Sequence, residues 1–209
     1  MSEPKAFARD ALTAAYYDQR AAEYDEWYLG QGRFAAHHRQ GWDRERDAVI
    51  DLVRTLPPAR TLDVACGSGF LTRHLQGVTV GLDQSPAMVA LTQSRLPIGV
   101  ALIGNALDLP FADGAFDRVV TAHFYGHLAP DERSDFLAEA RRVASELIVI
   151  DSARRPGVQA EQWQERVLND GSRHRVFKRY LAAGELADEL GGVVLLDGTW
   201  FVAARVSWP

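Results

Sequence analysis

The run Thr61-Leu62-Asp63-Val64-Ala65-Cys66-Gly67-Ser68-Gly69-Phe70-Leu71 constrains this chain more than any other stretch. Leu62 and Val64 suit a buried strand, Gly67 and Gly69 supply a tight turn, and residues 70–75 take up helical spacing. The segment therefore predicts a strand, a loop and a helix opening a nucleotide site. Small residues at Ala65, Gly67 and Gly69 serve such a site, because a minimal side chain lets backbone N–H groups come within hydrogen-bonding distance of a ligand. A dinucleotide fingerprint counted from Gly67 needs a third small residue where Thr72 stands, for close helix packing beside a pyrophosphate. Thr72 thus argues against NAD or FAD.

Strand and helix signals alternate around this run. Residues 41–56 predict a helix with Trp42, Val49, Ile50, Val53 and Leu56 on one stripe, and Pro57-Pro58 ends it. His37-His38 lies in the polar link before it. Residues 78–83, 100–103, 116–122 and 146–151 read as further strands, with helices over 88–95, after Ser85-Pro86, and over 131–144. Such alternation predicts βαβ units and a parallel sheet with helices on both faces. A helix over 183–190 and strands over 193–196 and 199–206 close the chain, the last two near enough for a hairpin, which implies one antiparallel strand. Residues 152–181 are the least regular segment. Residues 17–25, with Tyr17 and Tyr24, read as helical, either packed on the domain or forming a lid.

With 209 residues the chain is most simply one domain, and 47% hydrophobic with 24% charged residues is an ordinary soluble balance. A net charge of -5 gives no overall attraction to polyanions, which disfavours nucleic acid or a membrane surface as main partner. Cys66 stands alone, so an intramolecular disulfide is excluded, and no basic-then-apolar signal segment opens the chain. No apolar stretch approaches the roughly 20 residues of a membrane span, so a cytoplasmic location is the expectation. No metal site is expected: His123 and His127 are four apart, without an evident third ligand.

Asp83 stands at the tip of the second strand, where a carboxylate can accept hydrogen bonds from ribose hydroxyls; its other reading is the N-terminal acid of the following helix. Asn105, after the third strand, suits either an adenine contact or a turn after Gly104. His123 and His127 follow the fourth strand, in the crevice where open parallel sheets bind ligands.

Asp63-Val64-Ala65-Cys66-Gly67-Ser68-Gly69, then Gly81-Leu82-Asp83-Gln84-Ser85 with Met88, then Gly104-Asn105-Ala106-Leu107-Asp108-Leu109-Pro110-Phe111 and Phe116-Asp117 stand in order along the chain. In these motifs it resembles the class I S-adenosylmethionine-dependent methyltransferases, among them the small single-domain members of the ubiquinone/menaquinone and natural-product kind, grouped as methyltransferase type 11. The resemblance implies a Rossmann-like α/β fold, a doubly wound seven-stranded mostly parallel sheet with the last strand antiparallel and an N-terminal helical lid over 1–56. It implies S-adenosylmethionine as cofactor, leaving S-adenosylhomocysteine. Asp63 and the loop of Ala65, Cys66, Gly67 and Gly69 would border its methionine end, with Tyr24 of the lid near the carboxylate. Asp83 would hold the ribose, Gln84 and Met88 would lie beside ribose and adenine, and Asn105, Ala106 and Leu107 would border the base. Thr121, at the end of the fourth strand, joins that set.

The implied reaction is methyl transfer by in-line displacement to an oxygen, nitrogen or carbon of a small-molecule acceptor, for which alignment supplies much of the rate. Where a base is needed, His123 and His127 are the candidates; the alternative is that they satisfy polar groups in the crevice wall. Segment 152–181 is where such proteins place acceptor recognition, and here Arg173, Arg175 and Tyr180 suit an anionic acceptor or, equally, a solvated basic face. Other classes stay open: a methyltransferase-like protein that binds cofactor without catalysis, and a nucleic-acid methyltransferase, which the acidic composition disfavours. The oligomer would be a monomer or a homodimer.

Overall fold

The computed structural model describes residues 11–37 and 39–209. Residues 1–10 of the expected lid, and His38 of the His37-His38 pair, lie outside the described residues. In chain order the elements are α1 (Ala11–Arg20), α2 (Glu26–Leu29), α3 (Trp42–Thr55), β1 (Ala59–Val64), β2 (Gly77–Asp83), α4 (Pro86–Arg95), β3 (Gly99–Ile103) and β4 (Arg118–Ala122). They continue with α5 (Pro130–Val143), β5 (Glu146–Ser152), β6 (Glu161–Val167), β7 (Arg173–Arg179), α6 (Ala183–Leu190), β8 (Val193–Asp197) and β9 (Phe201–Ser207). Seven strands form one sheet in the order β3-β2-β1-β4-β5-β9-β8. β1 to β5 pair in parallel, and β9 runs antiparallel to β5 and β8. This is the Rossmann-like sheet, last strand antiparallel, that the sequence predicts.

The strands are apolar on both faces, and the period of two sends alternate residues into opposite cores. Leu147 and Val149 of β5 join Val119, Val202 and Ala204 beneath Phe136 of α5 and Leu186 of α6. Ile148 and Ile150 point the other way, to Val120, Phe201 and Ala203, with Val49 and Val53 of α3 and Phe70. Helices therefore cover both faces. The strand order reverses between β1 and β4, which opens a crevice beyond their carboxyl ends.

Two expectations fail. No α-helix follows the glycine turn; a single 3₁₀ turn, Thr72–His74, takes its place. Too few residues separate Gly69 from the start of β2 for a longer helix, and Leu75 N–H donates back to Thr72 O at 3.1 Å to close the turn. Segment 152–181 is regular after all: β6 and β7 form an antiparallel pair apart from the main sheet, with Trp163 opposite Phe177 and Arg166 opposite His174. Its inner face carries polar side chains, among them Gln164, Arg166 and Lys178, so the apolar alternation that announces a strand is missing.

Candidate functional site

Among the described residues, the non-glycine positions with positive φ are Ala65 at 57° and His123 at 57°. They follow β1 and β4, the two strands flanking the reversal of order, so backbone strain sits at the crevice. Gly67 has φ 55°, and a Cβ there would lie 3.4 Å from the Tyr24 ring. Gly69 has φ 76°, and its Cβ would meet Thr92 Oγ1 at 2.9 Å, so this glycine seats the loop on α4.

A first cavity, of ≈ 530 Å³ with its open mouth, is lined by Tyr17, Tyr24, Ala65, Gly67, Asp83 and Gln84, closed by Ala106 and reaching His123. Asp83 accepts Gly67 N–H through Oδ2 and Ser85 N–H through Oδ1, both at 2.9 Å. Burial raises its pKa against those bonds. Gln84 N–H is a third donor to Asp83, and as a carboxylate has about four lone-pair sites, one direction remains for a hydroxyl of a ligand.

Asp63 lies behind the loop. Burial raises its pKa to about 7 although Thr72 Oγ1 donates to its Oδ2 at 2.6 Å. The threonine that breaks the dinucleotide fingerprint thus satisfies a buried acid. Asp63 and Cys66 border a small neighbouring pocket with Tyr28 and Phe70. Burial also raises the Cys66 thiol.

Other expected contacts stand off the first cavity. Met88 is fully buried, and Thr121 is buried and donates to Val64 O at 2.8 Å. Leu107 is half-buried and packs against the core. Exposed Asn105 accepts Leu107 N–H through Oδ1 at 3.0 Å and bridges to Asp108, which is the turn reading.

The N-terminal segment covers this end of the sheet. Asp18 accepts Ser85 Oγ–H at 2.7 Å and Ala87 N–H at 2.9 Å, tying α1 to the start of α4. Asp25 accepts Ser68 Oγ–H at 2.5 Å and pairs with Arg95 at 2.7 Å. Tyr28 stacks on Phe70 with 4.0 Å between centroids.

A second, larger cavity of ≈ 1160 Å³ shares Tyr17, Tyr24 and His123 with the first. His123's side chain is 7% exposed, and neither ring nitrogen has a hydrogen-bond partner. Burial pushes its pKa down to about 3 against the pull of Asp151, whose Oδ1 is 3.9 Å from Nδ1. His127 Nδ1 lies 2.5 Å from Phe177 O, and burial holds its pKa well below the usual value. Lys178 donates to Asp151 Oδ1 at 2.5 Å, and Gly126 N–H donates to Oδ2 at 2.7 Å. Burial, the largest influence, would raise Asp151, but the charge and hydrogen bond of Lys178 together with His123 and His127 outweigh it and hold the carboxyl below its usual range.

Tyr180 lines this second cavity, but Arg173 and Arg175 do not. Arg173 pairs with Glu165 at 2.6 Å on the exposed surface, and Arg175 lies over the Trp163 ring at 5.4 Å. The cavity's cations are instead Arg20, Arg39, Arg155, Arg166 and Lys178. Reasoning from the sequence missed the four arginines. Their signal is a scatter of basic residues among Tyr24, Trp27 and Trp42 and in β6, none adjacent to another.

Among the described residues no group of three or more His, Cys, Asp or Glu side chains is placed to hold a metal ion, and no helix is long and apolar enough to cross a membrane.

Comparison with known proteins follows the same lines. A family profile for a methyltransferase domain matches residues 62–146. A demethylmenaquinone methyltransferase of Thermotoga maritima is 34% identical over 103 residues, 47% of this chain and 44% of that protein. One of Renibacterium salmoninarum is 33% identical over 150 residues, 68% of this chain and 58% of that protein. This chain therefore spans about half the length of these curated relatives. A solved DhpI-SAH complex shares the fold with a TM-score of 0.73 at 22% identity, covering 99% of this chain and 100% of that one.

Proposed function

We propose that this chain, which carries the fold and matches the methyltransferase-domain profile, is a class I S-adenosylmethionine-dependent methyltransferase that binds S-adenosylmethionine in the first cavity and methylates a small-molecule acceptor held in the second. The observation that carries this reading is that His123 lines both cavities, so two ligands would meet beside one imidazole.

The first cavity fits the cofactor in chemistry. Gly67 keeps its wall open, Asp83 has an acceptor direction free for a ribose hydroxyl, and Ala106 leaves a flat apolar side for the base. Tyr17 and Tyr24 close it from the N-terminal segment, which acts as the lid. Bound there, the cofactor supplies an electrophilic methyl carbon on a sulfonium.

The chain's own contribution is alignment and exclusion of water, which in favourable cases is worth roughly 7 to 11 kcal/mol. His123, neutral and with both nitrogens unpartnered, accepts a hydrogen bond from the hydroxyl or amino group of the acceptor and aims its nucleophilic atom. An imidazole held near pKa 3 is a weak base at neutral pH, so orientation is its first role. His127, with one nitrogen on the Phe177 carbonyl, is fixed in the wall beside it.

Calorimetric titration with S-adenosylhomocysteine tests the first step, and release of S-adenosylhomocysteine from S-adenosylmethionine on addition of acceptor tests the second. Absence of cofactor binding overturns the reading. Binding that never leads to transfer reduces it to a binding protein.

A further inference from the structure

The second cavity contains four guanidinium groups that have no carboxylate partner among the described residues. Arg20 is buried, donates to Tyr16 Oη at 3.1 Å and lies over the Tyr24 ring. Arg39 donates to Trp27 O at 2.9 Å and stacks 3.6 Å from the Trp42 centroid. Arg155 is 4.4 Å from the Trp200 centroid and 5.3 Å from that of Tyr180. Arg166 projects from β6 into the same space, close enough for its charge to oppose the burial that raises Tyr17 and to add to the burial that lowers His127. Among the described residues no Asp or Glu lines this cavity, and its fifth cation, Lys178, is already neutralised by Asp151.

Elsewhere the molecule pairs its arginines as expected: Arg60 with Asp117, Arg95 with Asp25, Arg142 with Glu139 and Arg179 with Glu189. Gathering like charges in a partly desolvated space is unfavourable unless an opposite charge joins them. Burial lowers the pKa of Arg39, the charge of Asp43 outside this cavity works against that, and Arg155 lowers it further. Packing against aromatic rings fixes Arg155 without using the donor edges of its fork, and Arg39, held by Trp42 and by one N–H on Trp27 O, keeps further donors. Those edges match the oxygens of a carboxylate or phosphoryl group.

We propose that the acceptor, on the reading that this cavity is the acceptor site, is a small molecule carrying an oxyanion group of two or more negative charges, phosphoryl or paired carboxylate, seated on Arg155 and Arg166 with Arg39 at its side. The aromatic wall of Trp27, Trp200 and Tyr180 holds the rest of the molecule, and His123 faces its reactive end. The surface arginines Arg173 and Arg175 take no part. The cations face a partly open, concave cavity, which suits a small anion.

The intact protein is titrated with inorganic phosphate and, separately, with malonate, following tryptophan fluorescence, since Trp27, Trp42 and Trp200 line the cavity. Saturable quenching by either probe is expected, and the stronger of the two identifies the phosphoryl or the carboxylate form. R155Q and R166Q are each expected to weaken it by roughly tenfold or more, the loss of a charge-assisted contact. R173Q/R175Q, a surface control, leaves it unchanged. Circular dichroism checks that each variant is folded, and S-adenosylhomocysteine titration runs in parallel. No saturable response to either probe, or equal affinity in wild type and R155Q/R166Q, overturns the proposal. Loss of anion binding with cofactor binding intact counts against the anionic acceptor alone, whereas absent cofactor binding counts against methyl transfer.

Discussion

Nδ1 of His123 stands 3.9 Å from Oδ1 of Asp151, too far for a hydrogen bond, because that oxygen already holds Lys178 at 2.5 Å and Ser152 N–H at 2.7 Å. The lysine takes the partner that would otherwise charge the imidazole. His123 is thereby left neutral and unpartnered where the two cavities meet.

That arrangement predicts acid lability. Burial depresses the folded pKa of His123 to about 3 from 6.5, so below pH 6.5 the unfolded chain binds a proton that the folded one refuses. The contribution is complete above pH 6.5 and is lost as pH falls toward about 3. In denaturant melts, His123→Gln is expected to flatten the decline of stability between pH 6 and about 4 relative to wild type. Parallel wild-type and H123Q curves across that range would contradict a depressed His123.

Asp63 has the opposite sign. Its pKa rises from 3.8 to about 7 on burial, so its contribution is complete below pH 3.8 and is lost as pH rises through about 7. Asp63→Asn keeps an acceptor for the Thr72 hydroxyl and removes the buried charge. Relative to wild type it is expected to gain stability from pH 5 to pH 8, on the order of a few kcal/mol at about 1.4 kcal/mol per pKa unit. A pH-independent difference in melting would show that Asp63 is an ordinary carboxylate.

Most of the fold was legible because both faces of the central strands are buried, so apolar runs such as Leu147 to Ile150 announce themselves. β1, β2 and Asp83 were likewise marked by the turn chemistry of Gly67 and Gly69. The β6–β7 pair was not, since Gln164, Arg166 and Lys178 face a polar cavity and erase the alternation. Thr72 was read as an exclusion of dinucleotides, yet its hydroxyl role toward Asp63 exists only once the chain has folded. The arginines of the second cavity were missed for a related reason. Arg20 and Arg39 come from the N-terminal segment and Arg155 and Arg166 from segment 152–181, whereas the eye goes to the contiguous cluster at Arg173 and Arg175, which the structure places outside the cavity.

The buried pair of Lys178 and Asp151, with side chains 4% and 0% exposed, is expected to behave as a unit. Lys178→Met strands a carboxylate with only the Gly126 and Ser152 N–H groups, at a cost of roughly 3 to 5 kcal/mol. Adding Asp151→Asn to that variant removes the stranded charge and restores part of the loss. Urea melts of the two singles and the double complete the cycle; additive losses would mean that the two side chains do not interact.

Gly67 supplies the sharpest test of the cofactor cavity. Its φ of 55° disfavours any side chain, and a Cβ would already touch the Tyr24 ring at 3.4 Å, so a branched residue pushes the tyrosine away or fills the cavity. Its N–H holds Asp83 and its carbonyl accepts the Thr92 hydroxyl at 2.8 Å, two bonds that survive substitution and keep the loop attached to β2 and α4. Strain of this kind costs about 1 to 2 kcal/mol, well short of unfolding a typical domain. Gly67→Val is therefore expected to fold and to lose S-adenosylhomocysteine binding by about a hundredfold or more, while Tyr24→Ala in the same chain recovers part of it by vacating the space. Wild-type affinity in the Gly67→Val protein, measured calorimetrically beside its melting curve, would remove this loop from the binding site.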